Sequence, residues 1–229
     1  MNVVRVMGGL GNQLFQYAFA KQIDAALDIS FYNSPENHTD IIPERHFVLD
    51  KFNTDYKLTT YRPAETVYDH TYDPKREYTD SYFYGYWQKD FKKRLHKLDL
   101  TLRPEYMTPQ LKKISEQMKR NESVAVHVRR SDYVKLGHAL DKEYYNYNIK
   151  KFGNMMFYIF SDDLDWCFKN IEAPRRLFMA HKDYEDLYLM SQCDHLIMSN
   201  STFSYWAFIL GQHKTLTAPT YWKGVPRLI

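Results

Sequence analysis

Apolar and polar residues alternate in blocks along the chain, and the period of the blocks changes. Residues 3–7 form a short apolar run that ends in the glycine-rich stretch Gly8-Gly9-Leu10-Gly11-Asn12. From Gln13, apolar residues recur four apart: Leu14 with Ala18, Phe15 with Phe19, Phe19 with Ile23, and Ile23 with Leu27. That spacing predicts a helix with one apolar face. Residues 29–32 read as a second strand. Residues 33–80 are polar, tyrosine-rich and without a firm period, which predicts loops and short elements. Residues 88–97 and 109–120 read as basic helices.

The second half is more regular. Short apolar runs at 124–128, 155–160, 177–180, 196–199 and 215–217 are separated by helical stretches at 142–152, 164–170, 184–193 and 202–210. Strands alternating with helices predict a parallel sheet with crossover connections. The natural division falls in the polar stretch 119–123, giving one domain over 1–120 and another over 121–229. No internal repeat or low-complexity tract is present.

Composition narrows the class. With 44% hydrophobic and 17% aromatic residues, 229 residues can build a substantial core, and a disordered chain is excluded. A formal net charge of +3 is too mild to argue for nucleic acid. No apolar run approaches the length of a membrane span, and residues 3–7 read as a strand rather than as part of a secretion signal. Cys167 and Cys193 form no CxxC pair and read as two buried thiols of a cytoplasmic protein.

Five motifs can carry chemistry. In GGLGNQ, residues 8–13, glycines between a strand and a helix let backbone N–H groups approach an anion. The third glycine of a dinucleotide fingerprint is missing, so NAD is disfavoured. In VAVHVRRSDY, residues 124–133, a strand delivers His127, Arg129 and Arg130 at its carboxyl end, where open α/β sheets bind ligands. Two guanidiniums there suit a phosphate; pairing with Asp132 is the simpler alternative. In FSDDLDW, residues 160–166, Asp163 and Asp165 match a DxD metal pattern, but a helix start at Ser161 and Asp162 explains the carboxylates through capping. In residues 199–211, Ser199, Asn200, Ser201 and Thr202 precede an apolar helix. This is more polar material than one N-cap needs and suggests a second phosphate cradle. Finally, Glu185 and Asp186 open a helix, where acidic residues ordinarily oppose the dipole. The basic run 89–97 reads as a solvated helix face, with docking on anionic lipid at the inner membrane surface as a secondary expectation.

Together the motifs resemble glycosyltransferase family 11, the α-1,2-fucosyltransferases. The matching pieces are GGLGNQLFQYA at 8–18, GYWQ at 85–88, HVRRSDY at 127–133, FSDD at 160–163 and DLYLMSQCDHLIMSNSTFSYW at 186–206, in the family's order. The chain departs from the family where Ser131 replaces the usual glycine and where segments before Gly85 and between Tyr133 and Met155 are shortened. The resemblance implies an α/β fold of GT-B type, with two facing Rossmann-like domains built on parallel sheets. The N-terminal domain would lie on the acceptor side, and the C-terminal domain would bind GDP-fucose.

It further implies GDP-β-L-fucose as donor, a glycan acceptor with a terminal galactose, inversion, no metal and no cofactor. Arg129 or Arg130 would hold the β-phosphate, with Asn12 reaching it from the other domain. Asp132 would orient an arginine, or act as the base. His127 and Asp186 would read guanine. Ser201, Thr202 and Phe203 would line the nucleotide pocket, with Gly9, Gly11, Asp162 and Asn200 beside the donor. Tyr82, Phe83, Tyr84, Tyr86 and Trp87 are candidates for stacking on sugars, against a background of core packing. A cytoplasmic, membrane-peripheral location is expected, with no nucleic-acid partner. Two other readings stay open on the sequence: a non-catalytic carbohydrate-binding or scaffold protein, and a metal-dependent glycosyltransferase using Asp163 and Asp165.

Overall fold

A computed structural model describes residues 1–40, 43–89 and 98–220. The chain forms two compact units that meet in sequence between Arg103 and Pro104. This differs from the division expected after residue 120. Helix Pro109–Arg120 packs on helix Asp183–Gln192 and so belongs to the second unit. Most of the basic helix expected over 88–97 lies outside the described residues.

The first unit holds β1 (Val3–Arg5), α1 (Leu10–Gln22), β2 (Ala26–Asp28), β3 (Glu65–Tyr68) and β4 (Ser81–Tyr84). The four strands form a parallel sheet in the order β2-β1-β4-β3. The second strand falls earlier than expected, and Ser30–Asn33 is a 3-10 turn instead. β3 and β4, invisible as a hydrophobic period, complete the sheet. Helix α1 starts three residues before Gln13 and is buried nearly all round rather than on one face. Two buried polar side chains make this tolerable by satisfying backbone groups that would otherwise be orphaned. Gln16 accepts from Met7 N at 3.0 Å and donates to Gly85 O at 3.0 Å, tying the exits of β1 and β4 together. Gln13 accepts from Val48 N at 2.9 Å and donates to His46 O at 2.8 Å, pinning the following loop.

The second unit holds α2 (Pro109–Arg120), β5 (Ser123–Val128), α3 (Ser131–Lys135), α4 (Lys142–Lys150), β6 (Met156–Ser161), α5 (Leu164–Asn170), β7 (Arg176–Met179), α6 (Asp183–Gln192), β8 (His195–Ile197), α7 (Thr202–Leu210) and β9 (Thr215–Thr217). Its parallel sheet runs β7-β6-β5-β8-β9. Strand alternation sorts the faces. Val124, Val126 and Val128 pack with Tyr145, Ile149 and Cys167 of α4 and α5. His127, on the opposite face, meets Ser199 and Phe203 at the start of α7. Strand order reverses between β5 and β8, and open α/β sheets bind ligands at the carboxyl ends of strands beside that reversal.

Candidate active site

The two motifs at the second unit's reversal meet there. Arg129 and Arg130 leave β5, and Ser199 to Thr202 leave β8. Tyr133 Oη donates to Asn200 O at 3.4 Å and links the two exits. The arginines have different surroundings. Arg129 lies between two carboxylates: Nη2 pairs with Asp132 Oδ1, and Nη1 lies 2.7 Å from Asp162 Oδ2. Its guanidinium carbon is 5.4 Å from the centre of the Tyr133 ring. Arg130 turns the other way, over Trp166 of α5 at 3.9 Å, with Asp163 3.6 Å from its Nε. Asp162 thus serves both residues, because its Oδ1 accepts from Arg130 N at 2.8 Å.

Ser131 sits at the first position of α3, and among the described non-glycine residues only Asp24 and Trp87 have a positive φ. Serine therefore replaces the family's usual glycine without backbone strain.

His127 is buried, and its Nδ1 lies 2.8 Å from Ser199 Oγ. Burial, and secondarily the charge of Arg129, push its pKa down to about 3, so the ring is neutral at physiological pH. The polar cluster before α7 is largely committed to the fold. Ser199 holds His127, Asn200 Nδ2 donates to His138 O at 2.9 Å, and Ser201 caps α7 by accepting from Phe203 N at 3.2 Å. The hydroxyl of Thr202 and the α7 N-terminus are what the cluster leaves for a ligand.

Asp186, in the first turn of α6, is mostly buried beside His181, with Nδ1 3.2 Å from its Oδ1. Burial raises its pKa to about 6, against the lowering effect of His181. With a pKa of about 6 the carboxylate is mostly ionised at neutral pH and protonates as pH falls through that value. Asp163, one half of the DxD pattern, is the N-cap of α5 and accepts from Trp166 N at 3.0 Å, a role expected at Ser161 or Asp162. Among the described residues no cluster of three or more His, Cys, Asp or Glu side chains forms a metal site.

In the first unit, GGLGNQ and GYWQ also meet at a strand-order reversal, between β1 and β4. Gly8 has φ +79°, a left-handed conformation that disfavours a side chain. Gly9 is the N-cap of α1, its carbonyl accepting from Asn12 N and Gln13 N, and Gly11 is buried in the first turn. Asn12 Oδ1 accepts from Gln88 Nε2 at 3.2 Å. Of the aromatic candidates, Tyr82, Phe83 and Trp87 are core, Trp87 stacking on Phe19 at 3.8 Å, while Tyr86 is exposed. Gln16, Trp166 and His181 escaped the sequence reading. Gln16 lies inside a matched motif but has partners distant in sequence; Trp166 lies just beyond the matched FSDD, and His181 precedes its motif and carries no periodic signal.

A family model described as glycosyl transferase family 11 matches residues 41–224. The chain belongs to glycosyltransferase family 11. An Escherichia coli protein named alpha-1,2-colitosyltransferase is 29% identical to it, over 96% of this chain and 91% of the relative. The mouse galactoside 2-alpha-L-fucosyltransferase Sec1 is 33% identical over a shorter stretch, 38% of this chain and 28% of the relative. The crystal structure of apo POFUT1 superposes with a TM-score of 0.51 at 15% identity, over 96% of this chain and 98% of that one, a likeness that carries the fold alone. The fold is α/β of GT-B type, and the chain is a fucosyltransferase-like glycosyltransferase. Among the described residues no helix is long and apolar enough to cross a membrane. The basic run considered for lipid docking lies, from residue 90 onward, outside them.

Proposed function

We propose that this family 11 enzyme transfers L-fucose from GDP-β-L-fucose to the 2-hydroxyl of a terminal galactose, with inversion and without a divalent cation. One observation carries the reading: the two-carboxylate clamp on Arg129 at the β5/β8 reversal, on the sheet face that also bears His127. A departing diphosphate needs donors aimed before the reaction starts. Around the arginine pair the carboxylates Asp132, Asp162 and Asp163 outnumber the guanidiniums, so bulk attraction is not the source of binding. Direction is: Arg129 fixed by Asp132 and Asp162, the α7 N-terminus, and the Thr202 hydroxyl.

In this reading Arg129 takes the β-phosphate, and Arg130, stacked on Trp166, supports it from behind. Asp162 and Asp132 are positioning residues. Asp186 accepts the paired N1–H and N2–H of guanine, His127 reads the base with it, and Phe203 and Ser201 shape the pocket wall. Asn12, Gly9 and Gly11 act from the GGLGN turn. The acceptor oxygen attacks the anomeric carbon, the bond to the β-phosphate oxygen breaks with its electron pair leaving on GDP, and the acceptor proton passes to a base. With Asp132 paired to Arg129, the clamp role accounts for that carboxylate better than the base role.

A second donor is supported by the colitosyltransferase relative: GDP-colitose, the same sugar lacking its 3-hydroxyl. Incubating the enzyme with each GDP-sugar and lactose in EDTA, and assigning the product linkage by NMR, tests the reading. An α-1,2 product in EDTA is expected. Activity that EDTA abolishes and Mn²⁺ restores refutes metal independence and revives the DxD reading, and a different linkage refutes the acceptor position.

A further inference from the structure

The first unit carries a cluster that the donor chemistry does not use. Tyr68 closes β3 and Tyr86 follows β4, and these two large rings are 45% and 43% exposed. His70 lies against Tyr68, with ring centroids 5.7 Å apart. Asp69 follows Tyr68 in the chain and contacts the backbone of Tyr86. Its Oδ2 accepts from Tyr86 N at 3.4 Å, and its Oδ1 lies 3.7 Å from His70 Nδ1. Both contacts are long, so they leave the carboxylate with unused acceptor capacity. The approach of β4's exit to this carboxylate depends on Gly85, where a Cβ would come within 2.7 Å of Asp69 Cβ. Tyr86 in turn reaches the GGLGN turn: its ring lies 3.7 Å from where a Gly8 Cβ would stand. The cluster therefore borders the reversal between β1 and β4, the position at which an open parallel sheet presents a ligand crevice.

A half-exposed carboxylate next to one half-exposed tyrosine in the chain, and bonded to the backbone of another, has the chemistry of pyranose recognition. Ring faces pack on the C–H face of the sugar, and the carboxylate accepts from neighbouring hydroxyls. Galactose suits this arrangement best among common hexoses, because its axial 4-hydroxyl leaves the hydrogens of C3, C4 and C5 on one continuous apolar face. We propose that Tyr68, Asp69, His70 and Tyr86 form the acceptor subsite, binding a terminal β-galactoside with its apolar face on a tyrosine ring and its hydroxyls on Asp69. The inference rests on the transferase reading above.

The probe is methyl β-D-galactopyranoside, followed by saturation-transfer NMR on the full chain. This measurement needs no donor, so its failure is separable from failure of the donor assignment. Wild type is expected to give signal on H3, H4 and H5. Asp69→Asn and Tyr86→Ala should weaken binding about tenfold or more, as expected for loss of hydrogen bonds to a charged group or of a stacking face. GDP affinity and unfolding temperature, read on the same samples, should be unchanged. Tyr68→Ala, at a half-exposed position on the sheet edge, supplies a variant with little folding risk. Galactoside binding equal to wild type in all three variants overturns the subsite, and so does the absence of any galactoside signal in wild type. Binding that survives while neither GDP-sugar is turned over overturns the donor reading instead.

Discussion

Replacing Arg129 and Arg130 separately by alanine should give unequal losses, and the structure sets the size of the gap. The Arg129 side chain is 16% exposed, and its partners Asp132 and Asp162 are 14% and 24% exposed. Arg129→Ala leaves two largely buried carboxylates facing each other without a cation. Breaking a fully buried pair this way costs about 3–5 kcal/mol; the remaining exposure lets water in and brings the expected loss to about 2–3 kcal/mol. Arg130→Ala removes a stack on Trp166 worth about 1 kcal/mol and a 3.6 Å contact with Asp163 worth less. Urea unfolding should therefore separate the two variants by about 1–2 kcal/mol, with Arg129→Ala the weaker. The gap should be wider in catalysis. Losing the donor to the departing phosphate costs about 3 kcal/mol, roughly a hundredfold in kcat/KM. Arg129→Lys should recover little, because one ammonium cannot bridge both carboxylates and still present a fork to phosphate. Equal stability and turnover in the two alanine variants, or a larger loss at Arg130, refutes the clamp assignment.

Three further outcomes follow from individual groups. Asp186 has a folded pKa of about 6, raised by burial and then by the charges of Asp183 and Glu185, against the lowering effect of His181. Ionising it costs stability that is intact below about pH 4 and lost as pH rises through about 6, so Asp186→Asn should raise Tm at pH 7.5 and not at pH 4. If the ionised form binds guanine, GDP affinity should also fall as pH drops through about 6, and a flat calorimetric profile between pH 5.5 and 7.5 removes Asp186 from the base pocket. Ser199→Ala deprives buried His127 of its 2.8 Å partner and should cost about 1–3 kcal/mol of stability; retention of wild-type Tm contradicts that. Gly8→Ala should cost about 1–2 kcal/mol from its positive φ alone, and its Cβ would sit 3.0 Å from Asn12 Nδ2, so thermal unfolding should show a clear drop.

What the sequence made legible, and what it hid, divides along the kind of contact involved. The second unit could be read nearly element by element, because each crossover joins a short apolar strand to a helix whose partners are close in sequence. Helices Leu164–Asn170 and Thr202–Leu210 fall where the period puts them. The first unit resisted the same reading for a physical reason. β3 and β4 carry Thr66, Tyr68, Ser81 and Tyr84, and their hydrophobicity alternates too weakly to mark a strand before its partner is known. The four-residue period predicts an amphipathic α1, but Gln13 and Gln16 are buried as well and satisfy Met7, Gly85, His46 and Val48, partners up to 69 residues away. The site shows the same division. That two arginines end β5 could be read directly, and strand alternation required them to diverge. Which carboxylates hold Arg129 could not be read, since Asp162 reaches it only through the β5–β6 register, with His127 opposite Phe160 and Val128 opposite Ser161. Along the chain, Asp162 reads as a helix cap and Asp163, with Asp165, as a DxD metal pattern. Viewed across the sheet, Asp163 caps α5 and Asp162 is the second jaw of the clamp, so the motif's adjacent aspartates are explained by two neighbours on two different elements and by no single local rule.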